Sequence, residues 1–547
     1  MNTSMFNYSG YRPLPFRDDL TNYTNSRTFG NPFLEQSREK SLIFPTYLCL
    51  GAAALCLYTC GTQKLIKASW IIWTLILLIA VFVMLPIISA LLLYKSLANL
   101  WLRGKILSGA DTFWALDTDD PASLAVINVL AIVSGDLNLQ QLKNAVGEKL
   151  VPSHPKLKYL RECSPFGYFF WNGQQKFNLD DYVKTIGCEY NDEASSEEEL
   201  REALSGLSNA QLPHNHLAGW EILLGPKLMY DGMTQRAIVF RIHHSMGDGP
   251  ALFRALFSTL ADCKSMEVFT PNLETVKKMI DGIQLRYNNK FFDNVVAVGR
   301  SLRGQLLQPS DDNVLHGSKL SGQKQIAWCS STQLMEAAKS IHNATGASFS
   351  AGLLASFLAA VSQFGNDADK LKACTIVFPV RALQNNPNTE PEMSNTFSCA
   401  VVSNRIPAMD DGVDAQIKAA DEALKKATQP VVIGATRAIL KLVGDVCPRP
   451  IANLALNSRQ CTAAMSNMPG PQTKISVFGS SVEKLVFWVP NKGSTGVGVS
   501  ILSYAGELSL GLNVDAALVN QHDAAKTLLL LWEEQLLLMS SVVGNTL

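Results

Sequence analysis

Apolar and polar positions follow three regimes along this chain. Residues 1–40 are rich in Asn, Ser, Thr, Tyr and Arg and have no helical period, which reads as a mobile tail. Two uncharged apolar runs follow: LIFPTYLCLGAAALCLYTC at 42–60 and ASWIIWTLILLIAVFVMLPIISALLLY at 68–94, joined by GTQKLIK. A helix needs about 20 apolar residues to cross the hydrocarbon of a bilayer. The second run exceeds that length and the first just reaches it, so the pattern predicts a two-helix transmembrane hairpin over 41–95. Trp70, Trp73 and Tyr94 stand near the ends of the second run, where interfacial aromatics belong. A cleaved signal peptide would have a shorter apolar core nearer the start. The competing reading, a pair of buried core helices, is weaker for the second run than for the first.

From about 106 onward the period changes repeatedly between two and 3.6. SLAVINVLAIV (123–133), RAIVFRIHH (236–244), QIAWCS (325–330), ACTIVFPV (373–380), KISVFG (474–479), GVGVSILSYAG (496–506) and ELSLGLNVD (507–515) read as strands. The last two meet at Ala505-Gly506 as a hairpin. LQQLKNAVGEKLV (139–151), PALFRALFSTLAD (250–262), STQLMEAAKSIHNAT (331–345) and SAGLLASFLAAVSQF (350–364) read as helices, the third with Ser331 or Thr332 near its N-cap. The more polar stretch 264–324 has weak strand signals. The expected fold class is mixed α/β: an N-terminal lobe over 106–300, a crossover over 301–324 and a C-terminal lobe over 325–547.

Charge narrows the functions. Lys+Arg and Asp+Glu are 47 each in 547 residues, so there is no basic excess to recognise nucleic acid. Eleven scattered cysteines, with no C-x-x-C pair, argue against a disulfide scaffold and for reduced thiols. Two crossings put the tail and the body on one side. Arg27, Arg38 and Lys40 precede the hairpin and Lys95, Arg103 and Lys105 follow it, against Lys64 and Lys67 in its loop, so the bias places the body in the cytosol. The sequons at Asn2, Asn7 and Asn22 point the other way, but a tail of this composition produces them by chance.

The candidate chemistry lies in FRIHHSMGDGPALF (240–253). Strand alternation puts His244 with Ile238, Phe240 and Ile242, and His243 with Arg241. Gly247 and Gly249 permit a tight turn, Pro250 suits a first helical position, and Asp248 stands where a helix start favours an acid. A histidine at a strand end beside apolar residues can serve as a general base for an attacking hydroxyl; a polar turn with structural histidines is the plain alternative. His214 and His216, flanking Asn215, read as a solvated loop rather than a metal site. No metal is expected.

RIHHSMGDG resembles the HHxxxDG motif of the bifunctional wax ester synthase/diacylglycerol acyltransferase family, within the chloramphenicol-acetyltransferase-like acyltransferases. ILSGADTFWALDT (106–118), LPHNHLAGWEI (212–222), VFPVRAL (377–383), MSNTF (393–397) and SNMPGP (466–471) extend the similarity in order along the body. The resemblance implies two chloramphenicol-acetyltransferase-like lobes with a tunnel between them. It implies His244 as general base, with His243 contributing, Asp248 orienting the loop through an arginine such as Arg381, and Gly249 allowing close backbone approach. Asn467 and Ser466 are the candidates for substrate binding at the oxyanion. Acyl-CoA would be co-substrate with no resident cofactor, and the acceptor a long-chain alcohol or diacylglycerol. The product would be wax ester or triacylglycerol, made at a bilayer, the endoplasmic reticulum or else the plasma membrane. Ser350-Ala351 stand where the family often has Asn-Asp, and Ala218-Gly219-Trp220 where it has Pro-Leu-Trp. The first departure leaves open a non-catalytic lipid-binding or scaffold protein. Acyltransfer to lipoyl or phenolic acceptors, which shares HxxxD, lacks support here.

Overall fold

The computed structural model describes residues 66–262, 298 and 310–544, apart from 103, 120–121, 174–175, 187–193, 231, 312, 318, 366–372, 382–392, 406–411, 457–460 and 520–522. Outside it lie the apolar run 42–60 and nearly all of 264–309. The chain divides into two compact units; of the first, residues 66–91 and 298 are described, and the second begins at Leu92. The apolar run 68–94 lies within one helix, Ile66–Trp101, with Pro86 inside it.

The second unit is a mixed α/β body built on two six-stranded sheets. The first sheet runs in the order Ser476–Val477, Ser480–Trp488, Val126–Ser134, Met233–His243, Trp220–Tyr230, Val183–Thr185. The second runs Phe397–Arg405, Ala373–Arg381, Ala463–Pro469, Val497–Tyr504, Glu507–Asp515, Lys324–Ser331. The division at 300 and 325 is therefore corrected by the strands. Ser476–Val477 and Ser480–Trp488, late in the sequence, complete the N-terminal sheet, and Leu485 pairs antiparallel with Ala131. KISVFG was expected as one strand; only Ser476 and Val477 of it pair, and the long strand is the next segment, SSVEKLVFW. Its Glu483 and Lys484 masked the period in the sequence.

The central strands read as near-continuous apolar runs because both faces are covered. Ile238, Phe240 and Ile242 face the helix Gly249–Leu260 in one core, while Ala237 and Val239 face Leu200, Leu204 and Trp328 in another. Trp488 ties the sheets together: its Nε1 donates to Ala327 O at 3.2 Å and its ring meets Trp328 edge-on. The hairpin at Ala505-Gly506 is as expected, with φ of 49° and 88° at the two turn residues, the left-handed pair that matches the twist of the strands. Ser331 caps the helix Thr332–Thr345, its side chain accepting from Gln333 N.

Ala524–Gly544 is long and apolar enough to cross a membrane. One face of it, with Leu528, Trp532, Leu536 and Met539, is instead buried against the second sheet's helices, and Trp532 Nε1 donates to Ser356 Oγ. It is a core helix.

One contact places the helix Gly109–Ala115, which carries Asp111 and Trp114. Gly109 and Gly444, on the helix Pro430–Val446, meet backbone to backbone: a Cβ on Gly444 would lie 2.1 Å from Gly109 O. Asp445 Oδ1 then accepts from Gly109 N at 2.7 Å. Gly444→Ala should force these helices apart and destabilise the fold by about 1–3 kcal/mol, read as a lowered midpoint in denaturant. An unchanged midpoint would show that the contact is slack.

Candidate active site

The strand Met233–His243 ends at His243, and His244 opens a single turn, His244–Met246. His243 itself is extended, with φ of −66° and ψ of 130°, so the strand alternation carries through it and turns His243 and His244 to opposite sides. The backbone N–H of His244 donates to Ala125 O at 2.7 Å. The helix Gly249–Leu260 then starts with Asp248 as N-cap, Oδ1 accepting from Ala251 N at 3.1 Å. Asp248 Oδ2 accepts from Thr396 N and Oγ1 at 2.8 and 3.0 Å. Thr396 is thus a partner of Asp248. Arg381 ends the strand Ala373–Arg381, and its side chain lies outside the described ones.

Asn395, the residue before Thr396, sets the state of His244. Its Nδ2 donates to Asp111 Oδ1 and to His244 O, both at 2.8 Å. With the amide nitrogen so engaged, Oδ1 faces His244 Nδ1 at 3.1 Å and can only accept. The proton of the neutral imidazole is therefore on Nδ1 and the lone pair on Nε2. Burial takes the His244 pKa down to about 4, against the opposing influence of the Asp248 charge and the Asn395 hydrogen bond. At neutral pH the ring is uncharged, and its Nε2 has no hydrogen-bond partner among the described residues. Trp114 stacks on it at 3.9 Å. Lys156 holds the turn to the same segment, donating to Met246 O at 2.9 Å and Met393 O at 2.8 Å.

His243 faces the opposite way, into a buried knot. Ser245 N donates to its Nδ1, so the proton is on Nε2, which donates to Asp117 Oδ2 at 2.9 Å. His216 repeats this arrangement: Leu212 N donates to Nδ1 and Nε2 donates to the same Asp117 oxygen at 2.9 Å. Ala125 N adds a third donor to that oxygen. Burial alone would raise the Asp117 pKa, but His243, Arg161 and the two imidazole hydrogen bonds hold it well below the carboxylate range. Burial and the Arg161 charge push His243 down to about 3, and burial lowers His216 as well. Two imidazoles and a carboxylate at this spacing resemble a metal set. A metal-binding imidazole, however, presents a bare nitrogen to the ion and donates from the other; here the backbone donors put the protons on the inward nitrogens.

The knot corrects the reading of His216 as part of a solvated loop, since it is buried. His214, Asn215 and His216 all have left-handed φ, 56°, 55° and 66°, and that turn swings His216 inward. No sequence period shows such a turn. Asp117, Asp111, Trp114 and Asn395 were not singled out either. Asp111, Trp114 and Asp117 lie in ILSGADTFWALDT and Asn395 in MSNTF, so the ordered motifs were the available signal.

The two candidates in the strand Ala463–Pro469 separate. Asn467 is exposed and its Nδ2 donates to Ser350 Oγ at 3.1 Å, which joins it to the position where Asn-Asp was expected. Ser466 shares a face with Met468. Met468 lines an apolar cavity of about 30 Å³ with Ile242, Gly249, Leu252, Phe253 and Leu502. This space holds only a few water-sized spheres of roughly 10–15 Å³. Met468 Sδ would lie 3.3 Å from a Cβ on Gly249, so that glycine does permit close approach.

Residues 395–538 match the family model described as the WS/DGAT C-terminal domain. Among solved structures, the wax ester synthase/diacylglycerol acyltransferase from Marinobacter aquaeolei VT8 is similar with a TM-score of 0.53 at 15% identity, over 80% of this chain and 100% of that one. The trichothecene 15-O-acetyltransferase from Fusarium sporotrichioides gives 0.55 at 13%, over 79% and 94%. The first condensation domain of the calcium-dependent antibiotic synthetase gives 0.53 at 12%, over 81% and 97%. No curated protein sequence matches the chain. The fold is therefore that of the chloramphenicol-acetyltransferase-like condensation and acyltransferase enzymes, and the chain carries a WS/DGAT C-terminal domain.

His216 and His243 have folded pKa values below their unfolded value, so the folded state binds fewer protons than the unfolded one below about pH 6.5. Their contribution is complete above that pH and is lost as pH falls through it, at up to about 1.4 kcal/mol per pH unit for each ring. Melting temperatures measured from pH 8 to pH 5 should fall below pH 6.5, and His216→Gln should make that fall shallower. A profile unchanged by the substitution would mean His216 is not held neutral.

Proposed function

We propose that this chain, a member by its C-terminal domain of the wax ester synthase/diacylglycerol acyltransferase family, moves a fatty acyl group from acyl-CoA to a hydroxyl of a long-chain alcohol or diacylglycerol. The products are wax ester or triacylglycerol. The observation that carries the reading is the His244 ring, neutral, with Nδ1–H held by Asn395 and an Nε2 that has no hydrogen-bond partner among the described residues.

In this mechanism Nε2 takes the acceptor's hydroxyl proton as its oxygen attacks the thioester carbonyl. The negative charge developing on the thioester's carbonyl oxygen offsets the positive charge on the imidazole, a requirement in a site that disfavours cations. The intermediate collapses, the C–S bond breaks, and the sulfur leaves with the proton returned from Nε2. The ester and the free thiol of CoA balance the step. His243 and Asp248 act as positioning residues: each orients the 243–249 turn, one through Asp117 and the other through Thr396. Acyl-CoA serves as co-substrate and no resident cofactor takes part.

The reading includes attachment to a bilayer. The helix Ile66–Trp101 supports it with an outward apolar surface, Phe82 being 80% and Leu100 81% exposed. The reading keeps the two-helix hairpin expected from the sequence, whose first run, 42–60, lies outside the described residues, with the body facing the cytosol at the endoplasmic reticulum. Ser350-Ala351 in place of Asn-Asp favours the second reading, a lipid-binding protein without catalysis.

Membranes from cells lacking neutral-lipid synthesis, given labelled palmitoyl-CoA with hexadecanol or diacylglycerol, separate the two. Wild type should form ester, with the product ratio naming the acceptor, and His244→Ala should lower the rate by about 10²–10⁴-fold. If folded, inserted wild type forms no ester over a range of chain lengths, the catalytic reading fails. The depressed His244 pKa adds a second signature: the acid limb of kcat/KM should fall near pH 4, below the ordinary imidazole value of about 6.5. A limb at 6.5 would contradict the burial of the base.

A further inference from the structure

The strand Ser480–Trp488 enters the active-site end of the first sheet, where Trp488 pairs with Asn128. Asn491 follows three residues later, in the loop that leaves this end of the sheet. Lys492 fastens the loop at that point. Its Nζ donates to Phe113 O at 2.8 Å and lies 4.5 Å over the Phe113 ring, next to the Trp114 that stacks on His244.

Asn491 is 3% exposed, yet neither its Oδ1 nor its Nδ2 has a hydrogen-bond partner among the described residues. Ser494 Oγ, in the same loop, is buried and unpartnered in the same sense. Burying both ends of a carboxamide without partners is a penalty to the free protein, and native structures rarely retain one without a use for it. The loop is therefore shaped for something other than its own packing.

We propose that Asn491 binds the secondary amides of the substrate, in the pantetheine arm of acyl-CoA. A trans secondary amide turns its N–H and C=O to opposite sides, so the planar Asn491 group takes an N–H from one of the arm's two amides on its Oδ1 and donates from its Nδ2 to the C=O of the other. This inference rests on the acyltransfer reading above. Among the substrates of that reading, the fatty chain, the alcohol and the diacylglycerol carry no amide; the pantetheine arm does. Asn491 then holds the arm at the end of the sheet where His244 stands, with Ser494 as a further polar contact.

The test compares wild type with Asn491→Leu, close in shape but without hydrogen-bonding groups, on the full-length protein in detergent. Calorimetry measures the binding of CoA itself, and melting is followed without ligand. CoA affinity should fall about tenfold, the worth of two ordinary hydrogen bonds. The KM for palmitoyl-CoA should rise by a similar factor while that for hexadecanol does not. The ligand-free melting temperature should hold or rise, because unmet polar groups have been replaced by apolar ones; a purely structural asparagine would instead lower it. If wild type binds CoA and Asn491→Leu binds it equally, the inference is overturned and the acyltransfer reading stands. If wild type binds no CoA at all, the acyltransfer reading fails and takes the inference with it. Ser494→Ala removes a single unpartnered hydroxyl and repeats the comparison should the leucine variant not fold; CoA affinity reduced about threefold supports the site, and unchanged affinity opposes it.

Discussion

A carboxamide whose nitrogen is committed to two acceptors has one orientation left, and much of this site follows from that constraint at Asn395. Its Nδ2 is taken by Asp111 Oδ1 and His244 O, so its oxygen must face His244 Nδ1. The tautomer of the ring is thereby chosen by a residue 151 positions away. The same short segment, 393–396, supplies the carbonyl that Lys156 grips and the Thr396 donors that fill Asp248. The HHxxxDG turn belongs to the first sheet and the Asn395 segment leads into the second. The state of the base therefore depends on the two sheets being held in register. The Trp328–Trp488 contact and the late strand Ser480–Trp488 secure that register from the other side of the sheet.

Beneath this lies a carboxylate that could not remain charged alone. Asp117 is buried, and isolating its charge there would be prohibitive. Three N–H donors converge on one oxygen, and Arg161 stands 3.7 Å from the other. Part of this support comes at a local expense. The left-handed turn at His214, Asn215 and His216 is unfavourable by about 1–2 kcal/mol per residue. It is tolerated because it delivers the His216 donor, and because Arg161 donates to His216 O at 3.0 Å. Neutral imidazoles suit this arrangement better than charged ones would, since Arg161 already supplies the positive charge that Asp117 needs.

The strand and helix periods legible in the sequence correspond to part of the body, and the motif order led to a fold that the similar structures share. The strands Trp220–Tyr230 and Phe397–Arg405 and the helices Val413–Ala427 and Pro430–Val446 were not read from it. The Asp117–His243 and Asn395–His244 contacts join residues 126 and 151 positions apart, and no local period encodes such a pairing. The strand Ser480–Trp488 was hidden because two of its residues, Glu483 and Lys484, are charged, although Val482, Leu485 and Val486 around them are buried. His216 looked solvated because its flanks are polar; only a run of left-handed residues turns it inward. Arg381, offered by the resemblance as a partner of Asp248, has its side chain outside the described ones, and the Asp248 carboxylate is met by the Ala251 and Thr396 donors.

Asp445 ties three helices together. Its main-chain oxygen accepts from Lys95, near the end of the helix Ile66–Trp101, and its carboxylate accepts from Gly109 N, at the start of the helix that carries Asp111 and Trp114. One residue thus meets both the end of the apolar helix and the segment that surrounds His244. Holding Gly109 in place also holds Asp111, which engages the Asn395 amide, and Trp114, which stacks on His244. The close approach of Gly109 and Gly444 serves the same end. Bulk at that contact would displace Asp111, and with it the only group among the described residues that, together with His244 O, keeps the Asn395 amide turned the right way.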